Sequence, residues 1–306
     1  MNYSVVIRTL GKAGDKYQTL LDSLITQTIK PDRILVYLAE GFPIPRETIG
    51  WEEYIYVPKG MVAQRALLYE EVSSEYILFL DDDVFIPDNG VEKLYHEMID
   101  NNGQVISPDV FPNLRRNVKD EIQMTVSGRM SARRNDLYWG YKVMRNSGYS
   151  YNKKPSAVMH SQTNAGPCFL CKKSDFLSIH FEDELWLDQM PYALGEDQVM
   201  YYKMYNAGLS VLTSYDSGIV HLDAGTSVIS EEKERILAFC DCRFKTIFFY
   251  RFILPGQSLF SRILSYIAFG YTKMFNLSIS LLKGNIAIFR KKRDGYRDGK
   301  KFIKND

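Results

Sequence analysis

Five apolar residues, Tyr76-Ile77-Leu78-Phe79-Leu80, run directly into three carboxylates, Asp81-Asp82-Asp83. A strand apolar on both faces has to be covered on both, as the central strand of an α/β sheet is. The flanking sequence agrees. Tyr3 to Thr9 is a β-branched run, and Tyr17, Leu20, Leu21, Leu24, Ile25 and Thr28 then recur at helical spacing until Pro31. Ile34 to Leu38 reads as a second strand, closed by Gly41, Pro43 and Pro45, and Tyr54 to Val57 as a third. Met61 to Val72 predicts a helix, and Pro87-Asp88-Asn89-Gly90 leads into another from Val91 to Ile99. Strands and helices that alternate through short connections imply a mostly parallel sheet with helices on both faces.

Residues 111 to 160, rich in Arg, Asn, Ser and Tyr, are less regular and read as a lid or binding segment. Order returns at Gly166 to Cys171, in a helix from Asp197 to Asn206 closed by Gly208, and in strands Ser210 to Thr213 and Gly218 to His221. After Ser230 the chain turns to long helices dense in Phe, Ile, Leu and Tyr, which divides it into a catalytic domain (1–230) and a C-terminal helical region (231–306). A net charge of +1 argues against a nucleic-acid surface, although Arg290, Lys291, Lys292, Arg293, Arg297, Lys300, Lys301 and Lys304 crowd one end. No secretory lead is visible, and four cysteines suggest a reducing compartment. Cys168 and Cys171 lie in an apolar run, and Cys240 and Cys242 lie far away, so buried packing is preferred to a zinc site.

In open α/β sheets ligands bind beyond the carboxyl ends of the strands, which is where Asp81-Asp82-Asp83 falls. Adjacent carboxylates repel one another. In an extended segment Asp81 and Asp83 point to the same side, and two hard oxygen ligands suit Mg²⁺ or Mn²⁺ bridging to a diphosphate. A solvated acidic turn before Pro87 and Gly90 is the plain alternative. A calcium loop starting at Asp81 fails, because Phe85 and Ile86 stand where a ligand and a glycine are needed. An aspartyl phosphatase with Asp81 as nucleophile stays open.

The pieces together resemble family 2 glycosyltransferases of the GT-A fold over roughly the first 230 residues. They are Ser4-Val5-Val6-Ile7-Arg8-Thr9, Leu24 to Pro31, Lys59-Gly60 with Ala63-Gln64-Arg65, Tyr76 to Val84, and Gly195-Glu196-Asp197, in the family's order. One departure is Glu40-Gly41, where the family often has Asp-Gly or Asp-Asp. The resemblance implies a Rossmann-like nucleotide-binding half and inverting transfer from a nucleotide-sugar, UDP-linked by preference, in bacterial-type surface-polysaccharide synthesis. It places Thr9, Glu40, Lys59, Arg65, Asp81 and Asp82 on the donor, with no separate role for Asp82. It implies Asp83 and His221, in Val220-His221-Leu222-Asp223, as ligands of Mn²⁺ or Mg²⁺. Asp197 becomes the general base with Glu196 as fallback, where a plain helix cap is the bland reading. Gly166, in Asn164 to Cys168, and Trp186 would wall the acceptor side, although Trp186 equally suits a core.

The expected partners are a nucleotide-sugar and a glycan or lipid-linked acceptor. Two apolar stretches, Phe244 to Leu254 and Ile263 to Leu282, suggest amphipathic helices at the cytoplasmic face of a membrane, the basic tail drawn to anionic lipid. A helical cap on the catalytic domain competes with that reading. A silent nucleotide- or glycan-binding module is the third functional class.

Overall fold

The computed structural model describes residues 1–110, 116–222 and 230–305. The chain opens with β1 (Tyr3–Thr9), α1 (Asp15–Ile25), β2 (Ile34–Ala39), β3 (Glu52–Val57), β4 (Tyr76–Asp81), β5 (Val84–Phe85), α2 (Gly90–Asp100) and β6 (Val105–Pro108). Next come α3 (Val118–Val126), β7 (Met130–Arg133), β8 (Tyr141–Val143), β9 (Tyr149–Asn152) and β10 (Val158–His160). After them lie β11 (Cys168–Lys172), α4 (Lys173–Leu177), a 3₁₀ segment Phe181–Gln189, α5 (Glu196–Asn206), β12 (Val211–Ser214) and β13 (Val220–His221). The chain closes with α6 (Glu231–Phe248), which runs into a π turn (Phe249–Ile253), then α7 (Leu259–Leu282) and α8 (Ile286–Asn305).

Eight strands form one sheet in the order β10-β12-β6-β11-β4-β1-β2-β3. Within it β3, β2, β1 and β4 are mutually parallel, β11 runs antiparallel between β4 and β6, and β10 is antiparallel to β12. Alternation along each strand sorts the side chains between two cores. Val5, Ile7, Leu78 and Leu80 meet α1 and α2 through Leu20, Leu24, Val91 and Leu94. Val6, Ile77 and Phe79 face the other way, toward Val199, Met200 and Met204 of α5 and Phe244, Ile247 and Phe248 of α6. The C-terminal helices therefore complete the second core, with Tyr296 of α8 inside it.

The expected helix from Met61 to Val72 is absent: Met61 to Arg65 form turns, and Leu67 to Tyr69 have no regular structure. Asp188, far along the chain, accepts the N–H groups of Val62 (3.1 Å) and Ala63 (2.8 Å). The Gln64 amide donates to the carbonyls of Thr9 (2.9 Å) and Tyr37 (3.1 Å), and Tyr69 adopts φ +52°. Tertiary hydrogen bonds thus outweigh the local helical preference. The described part of residues 111 to 160 also has more order than expected, with α3 and a sheet in the order β7-β9-β8.

Of the two apolar C-terminal stretches, Phe244 to Leu254 is core: Phe244, Ile247, Phe248, Phe249, Ile253 and Leu254 are all buried. It cannot face a membrane, which corrects half of that expectation. Among the described residues no helix is long and apolar enough to cross a bilayer.

Candidate active site

The site grows from a register. Parallel pairing sets Arg8, near the end of β1, opposite Asp81, at the end of β4. Both follow apolar residues of the same parity, Val6 and Phe79, so both turn toward α5. Arg8 grips Asp81 with two hydrogen bonds, Nε to Oδ1 at 2.5 Å and Nη2 to Oδ2 at 3.1 Å. Its Nη1 reaches Glu196 Oε1 at 2.8 Å and the Met61 carbonyl at 2.9 Å.

Arg65, set by the turns after Gly60, is the second cation. Its Nη2 donates to Asp81 Oδ1 (3.3 Å) and the Gly166 carbonyl (2.9 Å), and its Nη1 to Glu196 Oε2 (3.1 Å) and Asp197 Oδ1 (3.3 Å). Two guanidiniums thus bind three carboxylates. Burial alone would raise the Asp81 carboxyl; Arg8 and Arg65 overcome it and hold the group below the ordinary carboxylate range. Asp197 responds in the opposite direction. Burial, with Glu196 beside it, raises its carboxyl to about 7 despite Arg65 and Arg8. Its side chain is 33% exposed, whereas Glu196 is 3% exposed. Gly195 sets the entry to α5, at φ +83° and with no room for a Cβ against the Phe244 ring.

The extended reading of Asp81 to Asp83 does not hold, because β4 ends at Asp81 and the chain turns at Asp82 and Asp83. The three carboxylates go to three partners. Asp82 accepts the Thr9 hydroxyl, and burial between two like charges lifts it to about 6. Asp83 meets the short sheet β13-β5, in which His221 pairs with Val84. His221 Nε2 lies 3.0 Å from Asp83 Oδ2, and the Leu222 N–H donates to the Asp83 carbonyl at 2.8 Å.

Among the described residues no three His, Cys, Asp or Glu side chains converge as a metal site, and Asp223 lies outside the described residues. The Asp83–His221 pair nonetheless fits a hard divalent ion as two adjacent ligands. Octahedral ligands about 2.1 Å from such an ion and at right angles are about 3.0 Å apart. That is the separation of the pair, and its donors, one carboxylate oxygen and one imidazole nitrogen, suit Mn²⁺.

Arg8, Thr9, Lys12, Met61, Gln64, Asp81, Asp82, Asp83 and His221 line a cleft of about 330 Å³. Glu40 and Lys59 are not among its lining residues; Lys59 stacks on Phe42, whose ring Lys12 also covers, and Glu40 is exposed after β2. Gly166 lies against Asp197. Trp186 belongs to the core: it is 5% exposed, donates to Glu184 at 2.6 Å and packs against Phe302. It is not an acceptor wall, because α8 covers it. Sequence reasoning missed Arg8 and Gln64. The only signal for Arg8 was a charge breaking an otherwise apolar strand. The four cysteines are free and buried.

Residues 53–176 match the family model described as Glycosyl transferase family 2. The match includes the acidic cluster and ends before Glu196. No curated protein sequence matches the chain. Among solved structures, the crystal structure of GalNAc-T7 with UDP, GalNAc and Mn²⁺ is similar at a TM-score of 0.51 and 12% identity. The likeness covers 90% of this chain and 55% of that one, so this chain spans about half the length of that protein. The chain has the GT-A α/β fold, with a mostly parallel sheet flanked by helices and helices at its C-terminus.

Proposed function

We propose that the chain is an inverting glycosyltransferase. It would move a sugar from a nucleotide-diphosphate sugar, UDP-linked by preference, to a hydroxyl of a glycan or lipid-linked acceptor in cell-surface polysaccharide synthesis. The observation that carries this reading is that neighbouring carboxylates are driven apart in chemistry. Asp81 is neutralised by two guanidiniums, Asp83 is paired with an imidazole, and Asp197 is raised to about 7. Groups pushed apart in this way mark the acid–base assignments of a site.

Asp83 and His221 would hold Mn²⁺ or Mg²⁺, which when bound offsets the charge growing on the leaving diphosphate. That GalNAc-T7 was solved with UDP and Mn²⁺ supports this choice. Thr9 and Asp82 line the cleft, which would take the donor; we assign Glu40 and Lys59 to its outer, nucleoside end. Asp197 accepts the proton of the acceptor hydroxyl as that oxygen attacks the anomeric carbon opposite the diphosphate. One bond forms and one breaks, so the configuration inverts. Glu196, buried and paired with Arg8 and Arg65, serves as their counter-charge, and of the two neighbours Asp197 has the more accessible carboxylate. We place this work at the cytoplasmic face of a membrane.

Incubation with UDP-, GDP- and dTDP-sugars plus Mn²⁺ tests the reading. A glycosyltransferase releases nucleoside diphosphate from one class of donor, and chelation stops it. Phosphate release from an aryl phosphate, with all donors untouched, would instead favour the Asp81 phosphatase. Donor binding with no release would favour a silent module.

A further inference from the structure

Helix α7 (Leu259–Leu282) is amphipathic the wrong way round for a helix seated on a protein. Its inward face is mostly small and polar: Ser265, Thr272 and Ser280 are buried along with Phe269. These groups seat the helix by hydrogen bonds. Asn146 Nδ2 donates to Thr272 Oγ1 at 2.9 Å, Ser265 to Gln257 at 2.9 Å, and Lys292 Nζ to Ser280 Oγ at 3.0 Å. The outward face is apolar. Phe260 (72% exposed), Ile263, Ile267 (63%), Tyr271 and Met274 (71%) recur three or four residues apart, forming one stripe, and Leu281 and Leu282 are exposed at the end of the helix. From Phe260 to Met274 the stripe is about 21 Å long. Monomeric soluble surfaces rarely expose an apolar patch that extended, so something covers it.

The charges select the occupant. No Asp or Glu occurs between Leu259 and Leu282, whereas Arg262 and Lys273 do; Lys283 follows at the exposed turn, and Arg290 and Lys291 are exposed in the second turn of α8. Two copies joined through this stripe would bring those cations against each other. An anionic bilayer complements them: its headgroups meet the basic flanks and its acyl boundary takes the apolar face, with Tyr266 and Tyr271 suited to the interfacial layer. The polar seat suits a helix lying in the interface plane, and among the described residues no helix is long and apolar enough to cross a bilayer.

We propose that α7 docks the protein, by this stripe, flat on an anionic lipid surface. The inference specifies which face carries the membrane placement made above, and it does not rest on the transfer chemistry. The helix is also tied to the site. Asn146, bonded to Thr272, lies in the turn Met144–Ser147, whose Ser147 carbonyl accepts from Gln198 (3.2 Å), the residue after Asp197. Docking would therefore fix the acceptor side of the cleft relative to the membrane, where a lipid-linked hydroxyl is presented.

The full chain is floated with phosphatidylcholine vesicles with and without phosphatidylglycerol at about 0.1 M salt. Wild type should partition to the anionic vesicles by about tenfold or more over the neutral ones. A Phe260→Glu, Ile267→Glu, Met274→Glu variant, altered only at exposed positions, should lose about tenfold or more of that partition. Arg262→Gln with Lys283→Gln should reduce the anionic preference alone. Thermal melting and donor hydrolysis on the same preparations report folding and catalysis separately, so loss of docking is distinguishable from loss of function. Wild type staying in solution with both vesicles, or the triple variant floating equally well, overturns the proposal. A concentration-dependent dimer that the triple variant abolishes, without vesicle binding, overturns it in favour of a second copy.

Discussion

The carboxylate of Asp197 lies so close to the Gly166 backbone that a Cβ at residue 166 would sit 2.0 Å from Asp197 Oδ1. The same Cβ would come 2.8 Å from Arg65 Nη1. Gly166 is therefore what allows the proposed base to rest against the strand-end network.

Gly166→Ala should push Asp197 aside while sparing the core, because the colliding atoms end movable side chains. A displacement near 1 Å costs about 100-fold in rate. The expected outcome is a kcat about 100-fold lower with a melting temperature within about 5 °C of wild type. Unchanged kcat would remove Asp197 from the chemistry.

Asp197 works as a base only when ionised, and its carboxyl is raised to about 7. Transfer should climb from pH 6 to 8 with a midpoint at about 7. The stability linkage runs the other way: a raised carboxyl binds its proton more tightly in the folded state, so its contribution is largest at low pH and fades as pH rises through 7. Asp197→Asn should lower kcat by about 10²- to 10⁴-fold. It should also melt no lower than wild type at pH 8, and scanning calorimetry at several pH values checks the second point.

Arg65 is buried against Asp81, Glu196 and Asp197, so its removal leaves carboxylates short of a partner. Arg65→Met should cost about 3–5 kcal/mol, read by urea unfolding. Asp81 itself ionises below the ordinary range, so its stabilisation is present above about pH 4 and is lost as pH falls. Arg65→Met should therefore begin acid unfolding at a higher pH than wild type.

Asp83→Ala should abolish donor cleavage and weaken Mn²⁺ binding by about 10-fold or more, with titration calorimetry as the readout. His221→Ala should do the same. Asp81→Asn, by contrast, should damage stability before Mn²⁺ affinity, since Asp81 is bound to Arg8 and Arg65.

Features set by local pattern could be read from the sequence. The β-branched run of β1, the two-sided apolar β4 and the start of α5 at Glu196-Asp197 all appear where the residues indicated. Features set by distant partners could not. The turns after Gly60 exist because Asp188 and Gln64 supply hydrogen bonds across the fold, which no window of sequence contains. The pairing of Arg8 with Asp81 follows from strand register, and register is a property of the assembled sheet. Trp186 suited a sugar platform and a core equally in the sequence, and its packing against Phe302 of α8 puts it in the core. The outward apolar face of α7 has a helical period that the sequence shows, but period alone does not say which side faces the protein.

The central claim is a single displacement at an anomeric carbon. Its most direct test is proton NMR of the first sugar anomer released when the wild-type protein hydrolyses the donor it accepts in the presence of Mn²⁺. Inversion predicts the β-anomer first from an α-linked donor, with mutarotation following. An α-anomer appearing first, or cleavage that persists unchanged in Asp197→Asn, would contradict the account.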